Sequence, residues 1–131
     1  MAFRLSTMVQ IYRVKDSLKA ERAGYQAKYV ADLEFRMPLD SCGLILVDLE
    51  KNRRSTPHAH EFLDEIFLAL TDIRIFIDGT RYDLKEGDVV LAEPGEQHSF
   101  ETEPDTNGRI LAMKFPNIKD DKVVPDRGSE I

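Results

Sequence analysis

Residues 72–84 read DIRIFIDGTRYDL, and this segment constrains the fold more than any other. Side chains alternate along an extended chain, so Ile73, Ile75 and Ile77 fall on one face. Asp78-Gly79 comes next, a pair suited to the positive φ angles of a two-residue type I′ turn, and the chain then returns through Thr80 to Leu84. This is the pattern of a β-hairpin with one buried face.

The same alternation of short apolar runs and turn formers continues downstream. Lys85-Glu86-Gly87-Asp88 reads as a turn, Val89-Val90-Leu91-Ala92 as a strand, and Glu93-Pro94-Gly95-Glu96 as a second turn ahead of His98-Ser99-Phe100. Residues 25–36, 43–50 and 109–115 carry further strand signals. Turns recurring at about eight-residue spacing suit an all-β sandwich or barrel. Helix is expected only at residues 16–22, where Asp16 or Ser17 can cap a turn carrying Leu18, Ala20 and Glu21.

With 131 residues, no internal repeat and no linker-like tract, the chain is expected to be a single domain. Its core should span roughly residues 25–115, and the charged segment 116–131 should be a tail or docking arm. The 24 acidic and 18 basic residues give a formal charge of −6, which disfavours a phosphate backbone as partner. The basic run Lys51-Asn52-Arg53-Arg54 has no interleaved aromatics and reads as a loop, so nucleic acid is not expected. The longest apolar run, residues 66–70, is far too short to span a membrane. The first residues lack the apolar core of a secretory signal, so a cytoplasmic location is expected. Cys42 is the only cysteine, which excludes an internal disulfide and is read as a small buried hydrophobe.

All three histidines lie in two short segments, His58-Ala59-His60 and His98. Two residues apart on an extended segment entered through Pro57, His58 and His60 project to one side and can share an ion. Glu65, at the start of the apolar strand beginning at Ile66, can turn toward the same point, and His98 would complete a set of four. Imidazole and carboxylate donors of this kind suit a divalent first-row metal, whether Mn, Fe, Co, Ni, Cu or Zn.

The segment His58-Ala59-His60-Glu61-Phe62-Leu63-Asp64-Glu65 resembles the first motif of the cupin superfamily, H-x-H-x(3 or 4)-E. Gly87-Asp88, Pro94-Gly95 and His98 resemble the second. The likeness covers about residues 43–115 and leaves 1–40 and 116–131 outside. The chain departs from the pattern at Glu93, where Pro is usual, and at Asn52, Asp72 and Thr102, none of them a ligand position. Asn and Asp tolerate positive φ, so the turns at Asn52 and Asp72 remain feasible.

The resemblance implies a double-stranded β-helix, or jelly-roll barrel, with His58, His60, Glu65 and His98 as metal ligands, and it favours Glu65 over the adjacent Asp64. By alternation Phe67, Ala69 and Phe100 should form an apolar wall. Arg36, Tyr82, Gln97 and Lys114 are candidate polar liners, and Glu93 or Tyr82 could serve as general acid or base. The ligand or substrate is expected to be small. The resemblance implies a metal-dependent dioxygenase, isomerase or decarboxylase. A non-catalytic sugar-like binding or sensing module is the alternative, and a metal-free epimerase using a His-carboxylate pair is disfavoured by the complete donor set. A homodimer is expected, with the segment Met8-Val9-Gln10-Ile11-Tyr12 pairing across a two-fold axis.

Overall fold

A computed structural model describes residues 9–23, 25–35, 37 and 39–124. Its strands in chain order are β1 (Gln10–Tyr12), β2 (Leu18–Arg22), β3 (Tyr25–Tyr29), β4 (Gly43–Leu49), β5 (Ala59–His60) and β6 (Asp64–Ala69). The second half contains β7 (Ile73–Ile77), β8 (Thr80–Leu84), β9 (Val89–Ala92), β10 (His98–Glu101), β11 (Gly108–Phe115) and β12 (Lys122–Val123). Among the described residues the only helical element is one 3-10 turn, Val14–Asp16. No helix among them is long and apolar enough to cross a membrane.

The β7–β8 hairpin turns on Asp78 at φ 48° and Gly79 at φ 85°, both positive as a type I′ turn requires. Strand β10 joins β7 to complete a three-stranded antiparallel sheet in the order β10-β7-β8. A larger antiparallel sheet runs β1-β9-β6-β11-β4. Their inner faces share one core: Phe67, Ala69, Val90, Ala92, Ile110 and Ala112 from the large sheet meet Ile73, Ile75, Ile77, Leu84 and Phe100 from the small one. Two antiparallel sheets closed over such a core form the jelly-roll barrel. On the outer face of the large sheet, Val30, Ala31, Leu33 and Phe35 cover Ile66, Val89 and Leu91.

The Gly87-Asp88 turn ties the N-terminal segment to the barrel. The Asp88 carboxylate is fully buried and accepts hydrogen bonds from Arg13 Nη1 at 2.6 Å, Lys85 N at 2.8 Å and Val14 N at 3.1 Å. Gly87 has φ +93°, and a Cβ there would lie 3.1 Å from Val14 Cβ, so both backbone angle and space demand glycine.

Several sequence expectations are corrected. Residues 18–22 form a strand, because Leu18 and Ala20 alternate with Lys19 and Glu21 and pair with β3; among the described residues only Val14–Asp16 is helical. The strand expected over residues 25–36 ends at Tyr29, after which residues 30–35 lie over the large sheet. Gln10, Ile11 and Tyr12 pair with Leu91, Val90 and Val89 of the same chain, which makes β1 an edge strand of the large sheet; Met8 lies outside the described residues. Cys42 is exposed, because it precedes the start of β4 at the sheet edge. The C-terminal segment is partly structural: β12 pairs with β5.

Candidate metal centre

Four elements bring the donors together. His58 and His98 form an isolated antiparallel pair in which each backbone N–H donates to the other's carbonyl, at 3.1 and 2.8 Å. His60 lies on β5, held on one side by the Gly95 N–H, which donates to His60 O at 2.8 Å, and on the other by Lys122 of β12. Glu65 lies near the start of β6, in register with Ala92 on one side and Lys114 on the other. Asp64 faces away: it is fully buried and its Oδ2 accepts the Met37 N–H at 3.0 Å.

The donor atoms converge closely. Glu65 Oε1 lies 3.0 Å from His60 Nε2 and 3.3 Å from His98 Nε2, while His98 Nε2 lies 3.2 Å from His58 Nε2. One ligand atom from each of the four residues falls within 4.8 Å of all the others. Metal–nitrogen and metal–oxygen bonds of about 2.0–2.2 Å place neighbouring donors about 3 Å apart and opposite ones about 4 Å apart. The observed spacings fit that geometry.

The hydrogen bonding around the rings points the same way. His98 Nδ1 is 3.3 Å from Glu96 O and His58 Nδ1 is 3.5 Å from Thr56 O. A carbonyl only accepts, so in this assignment the proton sits on Nδ1 and both Nε2 atoms present lone pairs, facing each other across 3.2 Å. Neither lone pair can satisfy the other; a shared cation satisfies both. His60 Nδ1 is buried without a hydrogen-bond partner in the protein. The set of three imidazoles and one carboxylate therefore fits a divalent first-row ion.

Electrostatics hold two of the four, His58 and Glu65, in the forms that a cation takes. His58 is held neutral, with its pKa lowered to about 4 by burial and then by neighbouring His98 and Lys122. Burial pushes the Glu65 carboxyl upward, but the imidazoles of His60 and His98 against it outweigh burial and bring the pKa to about 2. His58 is half-buried while the other three are buried, so the set opens toward solvent on the His58 side.

Phe67 meets the His98 ring edge at a centroid distance of 5.0 Å and Phe100 at 4.9 Å, forming the expected apolar wall; Ala69 joins the same core. Of the candidate polar liners, Lys114 shares a face with Glu65 across β11, and Tyr82 packs on the barrel core opposite Ile75. Gln97 is exposed, its backbone N–H donating to Asp78 Oδ1, and Arg36 lies outside the described residues. Glu93 is buried against Gln10, whose amide donates to it, rather than turned to the histidines. Sequence reading missed the support from the C-terminal segment, where the Phe62 N–H donates to Asp121 Oδ2 at 2.7 Å. No apolar periodicity marked that segment.

A double-stranded β-helix with metal-type donors on its inner face is the architecture of the cupins. The chain belongs to that family: the cupin domain model matches residues 45–114. No curated protein matches it. Solved structures resemble it at low identity. One is a double-stranded β-helix protein from Klebsiella pneumoniae, 14% identical, covering 66% of this chain and 76% of that one with a TM-score of 0.60. A dTDP sugar isomerase from Desulfovibrio desulfuricans is 11% identical, covering 95% and 87% with a TM-score of 0.66. The DMSP lyase DddQ from Ruegeria pomeroyi is 22% identical, covering 65% and 43% with a TM-score of 0.58. Such identities speak to the fold.

Proposed function

We propose that the chain is a metal-dependent cupin enzyme that binds a small molecule beside a divalent ion held by His58, His60, Glu65 and His98. The observation that carries this reading is the pair of Nε2 atoms facing each other at 3.2 Å with the Glu65 carboxylate against His98, a donor set that a shared cation completes. Such an ion supplies Lewis acidity toward a substrate oxygen, which suits isomerase, lyase and dioxygenase chemistry. The backbone carbonyls of Thr56 and Glu96 fix the two ring tautomers, and Phe67 and Phe100 keep water from the inner side. The half-buried His58 marks the side from which a ligand approaches. Lys114, on the Glu65 face, is our candidate for steering a polar or anionic group of the substrate. We place the protein in the cytoplasm as a homodimer.

The test is elemental analysis of the purified wild type and of Glu65→Gln and His98→Ala, followed by oxygen uptake and carbonyl-compound turnover in the Fe(II)- and Mn(II)-loaded wild type. Stoichiometric metal in the wild type and its loss in both variants support the site; full retention in both refutes it. Tight small-molecule binding without turnover converts the reading to a sensing module.

A further inference from the structure

Two lysines flank the donor set from different strands. Lys122 of β12 stands directly across from His60, and directly opposed residues of an antiparallel pair project from the same face with Cβ atoms about 5 Å apart. Its side chain therefore rises on the face that carries the His60 imidazole. Its charge is felt at the site: after burial and His98, Lys122 is the next cause of the lowered His58 pKa. Lys114 of β11 stands across from Glu65 in the same way. It follows the core residues Ile110 and Ala112 at two-residue intervals, so it points to the inner side of the barrel, where it is half-buried.

A neutral polar group joins them. Gly43 of β4 is the other cross-strand partner of Lys114, and a Cβ on Gly43 would collide with the side-chain amide of Asn117. The absent side chain leaves room for that amide beside Lys114. Among the described residues neither lysine has an ion-pair partner. The neighbouring carboxylates are committed elsewhere: Asp64 accepts the Met37 N–H, Asp121 the Phe62 N–H, and Glu93 the Gln10 amide. A divalent ion outweighs the single charge of Glu65, so this mouth is positive on a chain whose formal charge is −6.

We propose that Lys114 and Lys122, with the Asn117 amide, form an anion subsite at the mouth of the metal centre, and that the substrate is a small carboxylate or phosphate ester. This rests on the metal-centre reading above and narrows its substrate class. An ammonium only donates, so the group it holds must accept, and a charged acceptor makes the stronger bond. The geometry also limits size. His60 Nε2 and Glu65 Oε1 lie 3.0 Å apart, and each lysine starts about 5 Å from its own donor residue, so a molecule of a few carbon atoms spans the donors and both ammonium groups.

Calorimetric titration of the Co(II)-loaded protein with lactate, its neutral counterpart lactamide and inorganic phosphate tests the subsite, with cobalt absorption as a second readout. At low salt at least one of the two anions should bind about tenfold or more tightly than lactamide and shift the cobalt spectrum, and the tighter of the two tells a carboxylate from a phosphate ligand. Lys114→Gln and Lys122→Gln should each weaken that anion about three- to tenfold without changing lactamide, and Lys122→Arg should keep most of the affinity. Lys119→Gln, an equal change of charge at an exposed position of the same segment, should have no effect. Wild-type cobalt content and circular dichroism show that each variant is folded and loaded. A wild type that takes up no cobalt overturns the metal centre and the subsite with it. With cobalt bound, the subsite alone is overturned by anions held no better than lactamide, by an unshifted cobalt spectrum, by lysine variants that bind as the wild type does, or by an equal loss in Lys119→Gln.

Discussion

His58 and His98, forty positions apart in sequence, exchange both backbone hydrogen bonds and set their Nε2 atoms 3.2 Å apart. The sheet contact itself thus holds two ring nitrogens face to face, at a spacing that a cation between them satisfies. Neutral His58 and ionised Glu65 are the protonation states that a cation needs.

Loss of a donor should cost more metal affinity than loss of a residue that merely orients a donor, for which about 10- to 100-fold is usual. Glu65→Gln is expected to exceed that range, because it removes the only negative charge among the four donors and leaves the fold intact. Competition against a chromophoric chelator measures the change. An affinity within tenfold of the wild type would exclude Glu65 as a ligand.

Stability of the metal-free protein should fall on acidification. His58 in the unfolded chain takes up a proton near its ordinary value of 6.5, but in the folded chain only at about 4, so the folded state loses ground as pH falls from 6.5 toward 4. Glu65 adds to the loss below 4.5, where the unfolded carboxyl protonates while the folded one stays ionised down to about 2. Melting temperatures of chelator-treated protein should drop through this window, and His58→Gln should flatten the upper half. An unchanged slope in that variant would assign the dependence elsewhere.

Gly87→Ala and Gly79→Ala separate backbone strain from crowding. Both sites have positive φ, at +93° and +85°, but only at Gly87 does the added Cβ crowd a neighbour, Val14. Gly79→Ala should cost about 1 kcal/mol and Gly87→Ala about 2–3 kcal/mol in urea unfolding. Equal losses would show that Val14 yields freely.

Asp88→Ala removes the acceptor of two backbone N–H groups and the ion-pair partner of Arg13, whose guanidinium keeps Asp83 O. A loss of about 2–3 kcal/mol is expected, with the N-terminal strand the first part to exchange its amide hydrogens. Uniform exchange over the barrel would contradict this anchoring role.

The parts of the fold that were legible in sequence are those whose signal is local. Ile73, Ile75 and Ile77 announce a half-buried strand, Asp78-Gly79 its turn, and His58-Ala59-His60 a shared side. Strand β2 reads in sequence as a helical turn because Asp16, Leu18, Ala20 and Glu21 satisfy helix propensity, while its pairing depends on Ala27 and Tyr29 of the expected strand beyond the turn. Cys42 was read as buried because free cysteines commonly are; only the position of β4 at a sheet edge reveals otherwise. Glu93 looked available as an acid or base until folding brought Gln10, eighty-three positions away, against it. Long-range partners of this kind leave no trace in local periodicity.

Residues 121–123 reach back to grip the loop and strand around His60, through Asp121 to Phe62 and Lys122 beside His60. These residues are therefore a splint for an inner donor, and a change that unseats Asp121 or Lys122 would loosen the bed on which that imidazole rests.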